Sequence, residues 1–200
     1  MKIKNDVMLM NFFKERHGIV AFSEIRKAGL ATSLKTFQRS GKIEKANRGL
    51  YRLSGGKGLS NPDLVVVSIK APHAVVCLIS ALSFHHATDQ IPREIHLAIP
   101  RGSWANLISH PPVHYYNFSK KAYEAGIEDH TIDGRKVRVY SLAKTIADCF
   151  KFRRRIGENI GLAALKAAVS EHHVSPSDIM RYAKICRAEK SIKPYLKALS

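Results

Sequence analysis

Turn signals at Gly18, Gly29, Gly41 and Asn47-Arg48-Gly49 cut the start of the chain into pieces that suit only a small helical domain with a hairpin. Residues 6–16 place Val7, Met8, Met10, Phe12 and Phe13 at helical spacings, with Gly18 as the stop. "GIVAF" (18–22) reads as a short strand. Ser23 is then expected to cap "EIRKAG", which turns Ile25 and Ala28 inward and closes at Gly29. Thr32 is expected to cap the next helix, which Gly41 ends. "KIEKA" and "LYRL" flank the turn at 47–49 as a hairpin. The order helix, strand, helix, helix, hairpin is that of a winged helix-turn-helix.

Put on a helix, Thr32 to Ser40 bury Leu34 and Phe37. Thr32, Lys35, Thr36 and Arg39 cluster on the opposite side, with Ser33 and Gln38 on the flanks. Every outward group can hydrogen-bond, and two are cations. A major groove accepts such a helix, where Arg and Lys favour guanine and Gln favours adenine. The helix N-terminus can also meet a phosphate. From Thr32 to Leu53 the chain carries Lys35, Arg39, Lys42, Lys45, Arg48 and Arg52 against the single acid Glu44. Arg48 at the hairpin tip is placed to enter a minor groove or touch backbone, with Lys45 and Arg52 behind it. Tyr51 and Leu53 are expected to pack the wing onto the helices. The bland alternative is a protein–protein module with a solvated basic face, and charge on the groove side argues against it.

The net charge of +17 is unevenly spread. Residues 1–60 hold 13 Lys/Arg against 4 Asp/Glu, residues 61–140 hold 8 against 7, and residues 141–200 hold 12 against 5. A neutral middle between two basic ends points to a nucleic acid or another acidic partner. Cys77, Cys149 and Cys186 lie far apart among apolar neighbours, which suits buried reduced thiols rather than a disulfide framework or zinc site. No apolar run reaches the ~20 residues of a membrane span, and polar residues interrupt the N-terminal segment. The expected location is cytoplasmic, with no membrane partner.

"SGGKGLSNP" (54–62) reads as a linker, which divides the chain into a winged-helix domain (1–54), a linker (55–61) and a second domain (62–200). Asn61 and Pro62 suit the start of a helix over 62–70, although "DLVVVSIK" fits a strand equally well. "AVVCL", "REIHLAIP" and "VHYYNF" read as strands, the second half-buried, and "SALSFHHAT" as a helix. "HTIDGRKVRVY" is a hairpin around Asp133-Gly134. "SLAKTIADCF" keeps Leu142, Ala143, Ile146, Ala147 and Phe150 on one helical face. Leu162, Leu165 and Val169 repeat the pattern, and Ser175-Pro176 starts another helix. The expected class is α+β: an N-terminal winged helix-turn-helix, then a mixed α/β domain with a helical C-terminal section.

"TFQRSGKIEKANRGLYRL" resembles the winged-helix domain of AbiEi-like antitoxins, of the bacterial abortive-infection AbiE type. "AVVCLISALSFHHATDQIPREIHLAIPRG" and "VYSLAKTIADCFKFRRRIG" resemble that family's C-terminal domain, so the likeness covers nearly the whole chain. The resemblance implies a phage-defence antitoxin of the type IV class. Its N-terminal domain would repress its own operon at double-stranded operator DNA carrying inverted repeats. Its C-terminal domain would counter a nucleotidyltransferase-type toxin without forming a stable complex.

In "KFRRRIG", Lys151, Arg153, Arg154 and Arg155 fall at a helix end, more cations than the macrodipole alone would call for. They form a candidate basic patch of the second domain. Ser141, Lys144, Thr145 and Asp148 fall in the family-like phrase, with Ser141 expected as an N-cap and Asp148 expected to pair with Lys144 or an arginine. The ten histidines show no metal-ligand spacing, so no metal and no cofactor are expected. No catalytic constellation is present, and an enzyme is not expected. The alternatives are a stand-alone winged-helix regulator with a sensor domain and a nucleic-acid-processing enzyme.

Overall fold

The computed structural model describes residues 2–55, 59–105 and 107–199. Residues 56–58 of the expected linker lie outside the described residues. The first elements are α1 (Lys2–Lys14), β1 (Ile19–Ala21), α2 (Phe22–Lys27), α3 (Ala31–Arg39), β2 (Ile43–Asn47) and β3 (Leu50–Leu53). β1 and β2 both pair antiparallel with β3, so the sheet order is β1-β3-β2. This is the element order expected from the sequence.

The helices and sheet close over Leu9, Phe13, Val20, Ile25, Leu34 and Phe37. Burying side chains of this size stabilises by about 1.5–3 kcal/mol each. On α1 the inward pair is Leu9 and Phe13, one turn apart, whereas Val7 and Met8 are exposed. Tyr51 and Leu53 pack against the cluster as expected. Two caps differ from expectation. Ala21 is the N-cap of α2, and its N–H donates to Glu24 Oε2 at 2.8 Å, so Glu24 satisfies the amide that a Ser23 cap would have left further out. α3 begins at Ala31 after the buried Leu30, which places Thr32 within its first turn.

α4 (Pro62–Lys70) is a helix, not a strand. Pro62 supplies a helical first position, and Asn61 Oδ1 accepts from the Leu64 N–H at 3.2 Å. The chain divides into two compact units, Met1–Pro72 with Thr131–Val137, and His73–His130 with Arg138–Ser200. The first unit is therefore larger than residues 1–54. Within it, Arg135 donates to both carboxylate oxygens of Glu24 at 3.1 Å and to the Ile19 carbonyl at 2.5 Å. Asp133 accepts from the Ser60 amide at 3.0 Å and the Ser60 hydroxyl at 3.1 Å.

The remaining elements are β4 (Val75–Val76), α5 (Leu78–Phe84), β5 (Ile95–Pro100), β6 (Val113–Phe118), α6 (Lys120–Glu124), β7 (Ile127–Ile132), β8 (Arg135–Tyr140), α7 (Leu142–Lys151), α8 (Arg153–Ile156), α9 (Glu158–Ser170), α10 (Pro176–Cys186) and α11 (Glu189–Leu199). The strands form a five-stranded mixed sheet in the order β6-β5-β4-β8-β7. β4 is antiparallel to β5 and parallel to β8, and β5 is parallel to β6. β5 is buried from Ile95 to Ile99, not half-buried, because it lies inside the sheet with α5 and α6 against it. Asp133 and Gly134 both take positive φ, 48° and 73°, as a tight β7–β8 turn of this sequence requires.

Arg135→Ala is expected to destabilise the N-terminal unit by about 2 kcal/mol, since it strips charge-assisted hydrogen bonds from Glu24 and leaves the Ile19 carbonyl unpaired. Hydrogen exchange at residues 19–25 is the measurement. Protection equal to that of the parent protein would show that Arg135 does not hold β1 and α2.

Candidate functional site

α3 divides its residues sharply between core and surface. Ser33, Leu34 and Phe37 are buried, while Thr32, Lys35, Thr36, Gln38 and Arg39 are exposed. Ser33 was expected at the flank of the groove-facing side. It lies one turn before Phe37 and shares its inward stripe, so it faces the core.

The cations around α3 differ in what already holds them. Lys35, Arg39, Lys42, Lys45 and Arg48 are exposed, and none has an ion-pair partner among the described residues. The Lys42 ammonium lies 5.6 Å from the Phe37 ring centroid. Arg52 stands directly across the β2–β3 ladder from Glu44, and Arg52 Nε meets Glu44 Oε1 at 2.5 Å. Its charge is matched within the wing, which makes it a brace for the hairpin. At the hairpin tip the Arg48 N–H donates to Asn47 Oδ1 at 2.6 Å, and the Arg48 side chain is exposed. Arg26 and Lys27, in the last turn of α2, are two further exposed cations that the sequence pattern did not bring out. Their position looks like ordinary dipole compensation at a helix end.

The family-like phrase of the second unit has a different character. Ser141 caps α7, its hydroxyl accepting from the Lys144 N–H at 3.4 Å. Lys144, Thr145 and Asp148 are each 0% exposed. Lys144 Nζ donates to Asp148 Oδ2 at 2.5 Å, and Cys186 Sγ donates to Asp148 Oδ1 at 3.2 Å. The ammonium also lies 4.0 Å from the Tyr140 ring centroid and 4.9 Å from that of Phe118. Thr145 Oγ1 donates to the Tyr140 carbonyl at 3.3 Å. Burial raises the Asp148 carboxyl above its ordinary value, with the Lys144 ammonium pulling the other way. Gly126 takes φ +72° beneath this pair, and a Cβ there would stand 2.7 Å from Lys144 Cβ. This part of the motif is a buried structural centre.

The basic run does not end a helix as expected. α7 stops at Lys151, and Arg153–Ile156 form the separate short α8. Arg153 Nη1 donates back to the Phe150 carbonyl at 3.0 Å, while Lys151, Arg154 and Arg155 are exposed. These four cations line a shallow depression with Phe152. Among the described residues no group of His, Cys, Asp and Glu could hold a metal ion, and no helix is long and apolar enough to cross a membrane.

Residues 8–54 match the family model described as "Transcriptional regulator, AbiEi antitoxin". The match spans α1 to β3 and contains every cation of the α3 face and hairpin. No curated protein sequence matches the chain. Among solved structures, the chain is similar to the crystal structure of the RV2827C protein from Mycobacterium tuberculosis, at 12% identity and a TM-score of 0.52. That likeness covers 95% of this chain and 79% of the other, and it extends the common fold well beyond the N-terminal segment.

Lys144→Ala is expected to destabilise the C-terminal unit by about 3–5 kcal/mol, because Asp148 is left buried without its counter-ion. Replacing both partners, as Lys144→Met with Asp148→Leu, should lose less than that single change. Denaturant titration read by hydrogen exchange in α7 compares them. A single-variant loss below about 1 kcal/mol, the size expected of an exposed pair, would mean that water reaches the site.

Proposed function

We propose that this protein is an antitoxin-type transcriptional regulator that represses its own operon. It binds inverted repeats in promoter DNA through α3 and the β2–β3 hairpin. The observation that carries this reading is the set of five exposed cations on α3, the turn after it and the hairpin, none with an ion-pair partner among the described residues, within the segment that matches the AbiEi family model. Self-repulsion among these charges is relieved when a polyanion neutralises them. Thr32, Lys35, Thr36, Gln38 and Arg39 face the major groove and meet base edges or the adjacent phosphates. Lys42, Lys45 and Arg48 hold the backbone. The C-terminal unit counters a nucleotidyltransferase-type toxin without a stable complex, using the surface that carries Lys151, Arg153, Arg154 and Arg155. The protein acts in the cytoplasm, where its three buried cysteines stay reduced.

Arg39→Ala is expected to weaken operator binding by about 1–3 kcal/mol and to relax preference at one base position. Arg48→Ala should instead lower the slope of log K against log salt by about 0.9 with sequence preference kept. Both are read by titrating operator and scrambled duplexes across salt concentrations. Unchanged affinity and specificity in Arg39→Ala would remove α3 from the interface.

Alanine at Arg153, Arg154 and Arg155 together should impair rescue of cells from the toxin while leaving promoter repression intact. The full chain is the right vehicle, because residues 131–137 group with the N-terminal unit. Rescue at matched expression equal to that of the parent would refute the assignment of that surface.

A further inference from the structure

The C-terminal unit contains a cleft of about 240 Å³ that the DNA-facing helix does not use and that shares only Lys151 and Phe152 with the depression of the arginine run. Three cations line it from three separate parts of the chain: Arg101 just past β5, Lys151 at the end of α7, and Arg187 at the end of α10. All three are exposed, and none has an ion-pair partner among the described residues. The single acid among the lining residues is Asp148. Its oxygens are already taken by Lys144 and Cys186, and it is 0% exposed, so it does not serve as their counter-ion. Three like charges around a concave surface repel one another unless an anion sits between them.

Arg187 is the C-cap of α10. It occupies the left-handed region at φ 58° and ψ 40° immediately after α10, where glycine is the favoured residue. An arginine held there carries backbone strain that a glycine would remove. The cleft is not purely polar, since Phe152 and Ile185 form an apolar wall. Its volume of about 240 Å³ leaves room for a phosphate and a body the size of a pentose. A duplex cannot enter such a space.

We propose that this cleft binds a small organic phosphomonoester. Arg101, Lys151 and Arg187 hold the phosphate, and Phe152 and Ile185 cover the organic body. A planar guanidinium fork matches phosphate oxygens in pairs, which suits two arginines and a lysine around one dianion. The proposal uses none of the DNA-binding residues, and of its cations it shares Lys151 alone with the surface proposed to counter the toxin.

Calorimetric titration of the full-length protein tests it, with ribose 5-phosphate, inorganic phosphate and ribose as probes. Ribose 5-phosphate should bind saturably, one per chain, with inorganic phosphate at least about tenfold weaker and ribose not binding. Arg187→Gly should weaken ribose 5-phosphate about tenfold or more while leaving the melting temperature unchanged or higher, which a merely structural role would not do. Lys151→Gln should weaken it as well. Absence of saturable binding at millimolar ribose 5-phosphate overturns the proposal. So does unchanged affinity in Arg187→Gly, or displacement of ribose 5-phosphate by a single-stranded oligonucleotide lacking a terminal phosphate, which would make the cleft part of a nucleic-acid surface.

Discussion

Lys144 and Asp148, one helical turn apart on α7, form an ion pair that water does not reach, and the C-terminal unit is built around it. Taking two charges out of water costs several kcal/mol per ion, so the fold must supply close geometry and further partners. It supplies a 2.5 Å contact, a thiol on the second carboxylate oxygen, and two aromatic faces around the ammonium. These partners come from β6, β8 and α10, so the pair fixes how those elements meet α7. Burial pushes the Cys186 thiol up to about 12, and it raises Cys77 and Cys149 as well. The thiols therefore remain protonated, Cys186 as a donor to Asp148 and the other two as apolar packing.

The N-terminal unit treats charge in the opposite way. Where an ion pair is needed for architecture, an acid is placed on it: Glu44 on Arg52, and Glu24 on Arg135. Lys35, Arg39, Lys42, Lys45 and Arg48 receive no such acid among the described residues. The difference lies within one hairpin, since Arg52 is braced while Lys45 and Arg48, on the same β2–β3 unit, are not. Solubility alone does not call for that selectivity.

Local pattern made the first unit largely legible. Glycine punctuation, the Leu34–Phe37 stripe and the hairpin turn each act over a few residues, and each appears in the structure where the sequence put it. The errors were also local in kind. Ser33 reads as outward by its polarity although its spacing from Phe37 is inward, and Thr32 reads as a cap although the apolar Leu30 fixes the helix entry. In the second unit the pairing of Lys144 with Asp148 was legible from spacing, but its burial was not. α7 is covered by α5, α9, α10 and α11, so its polar side is also interior. Nothing within ten residues of Asp148 announces Cys186 as its partner. The cations of the cleft are likewise separated by tens of residues and share no motif.

Two of the basic surfaces differ in shape, and shape bears on what each can bind. On α3 and the hairpin tip the cations are convex. A convex row suits a ligand with its own groove, and such exposed charges are weakened by salt. Around Arg101, Lys151 and Arg187 the cations are concave, with apolar wall on one side and a neutralised ion pair beneath. Field lines concentrate in a concavity with low-dielectric walls, so the same number of charges acts more strongly on a smaller anion. A long polyanion gains from the first geometry, because it can add contacts along its length. A single phosphate gains from the second, because three donors can surround it only where the surface curves inward. The two surfaces share no cation, so the ligands proposed for them would not compete.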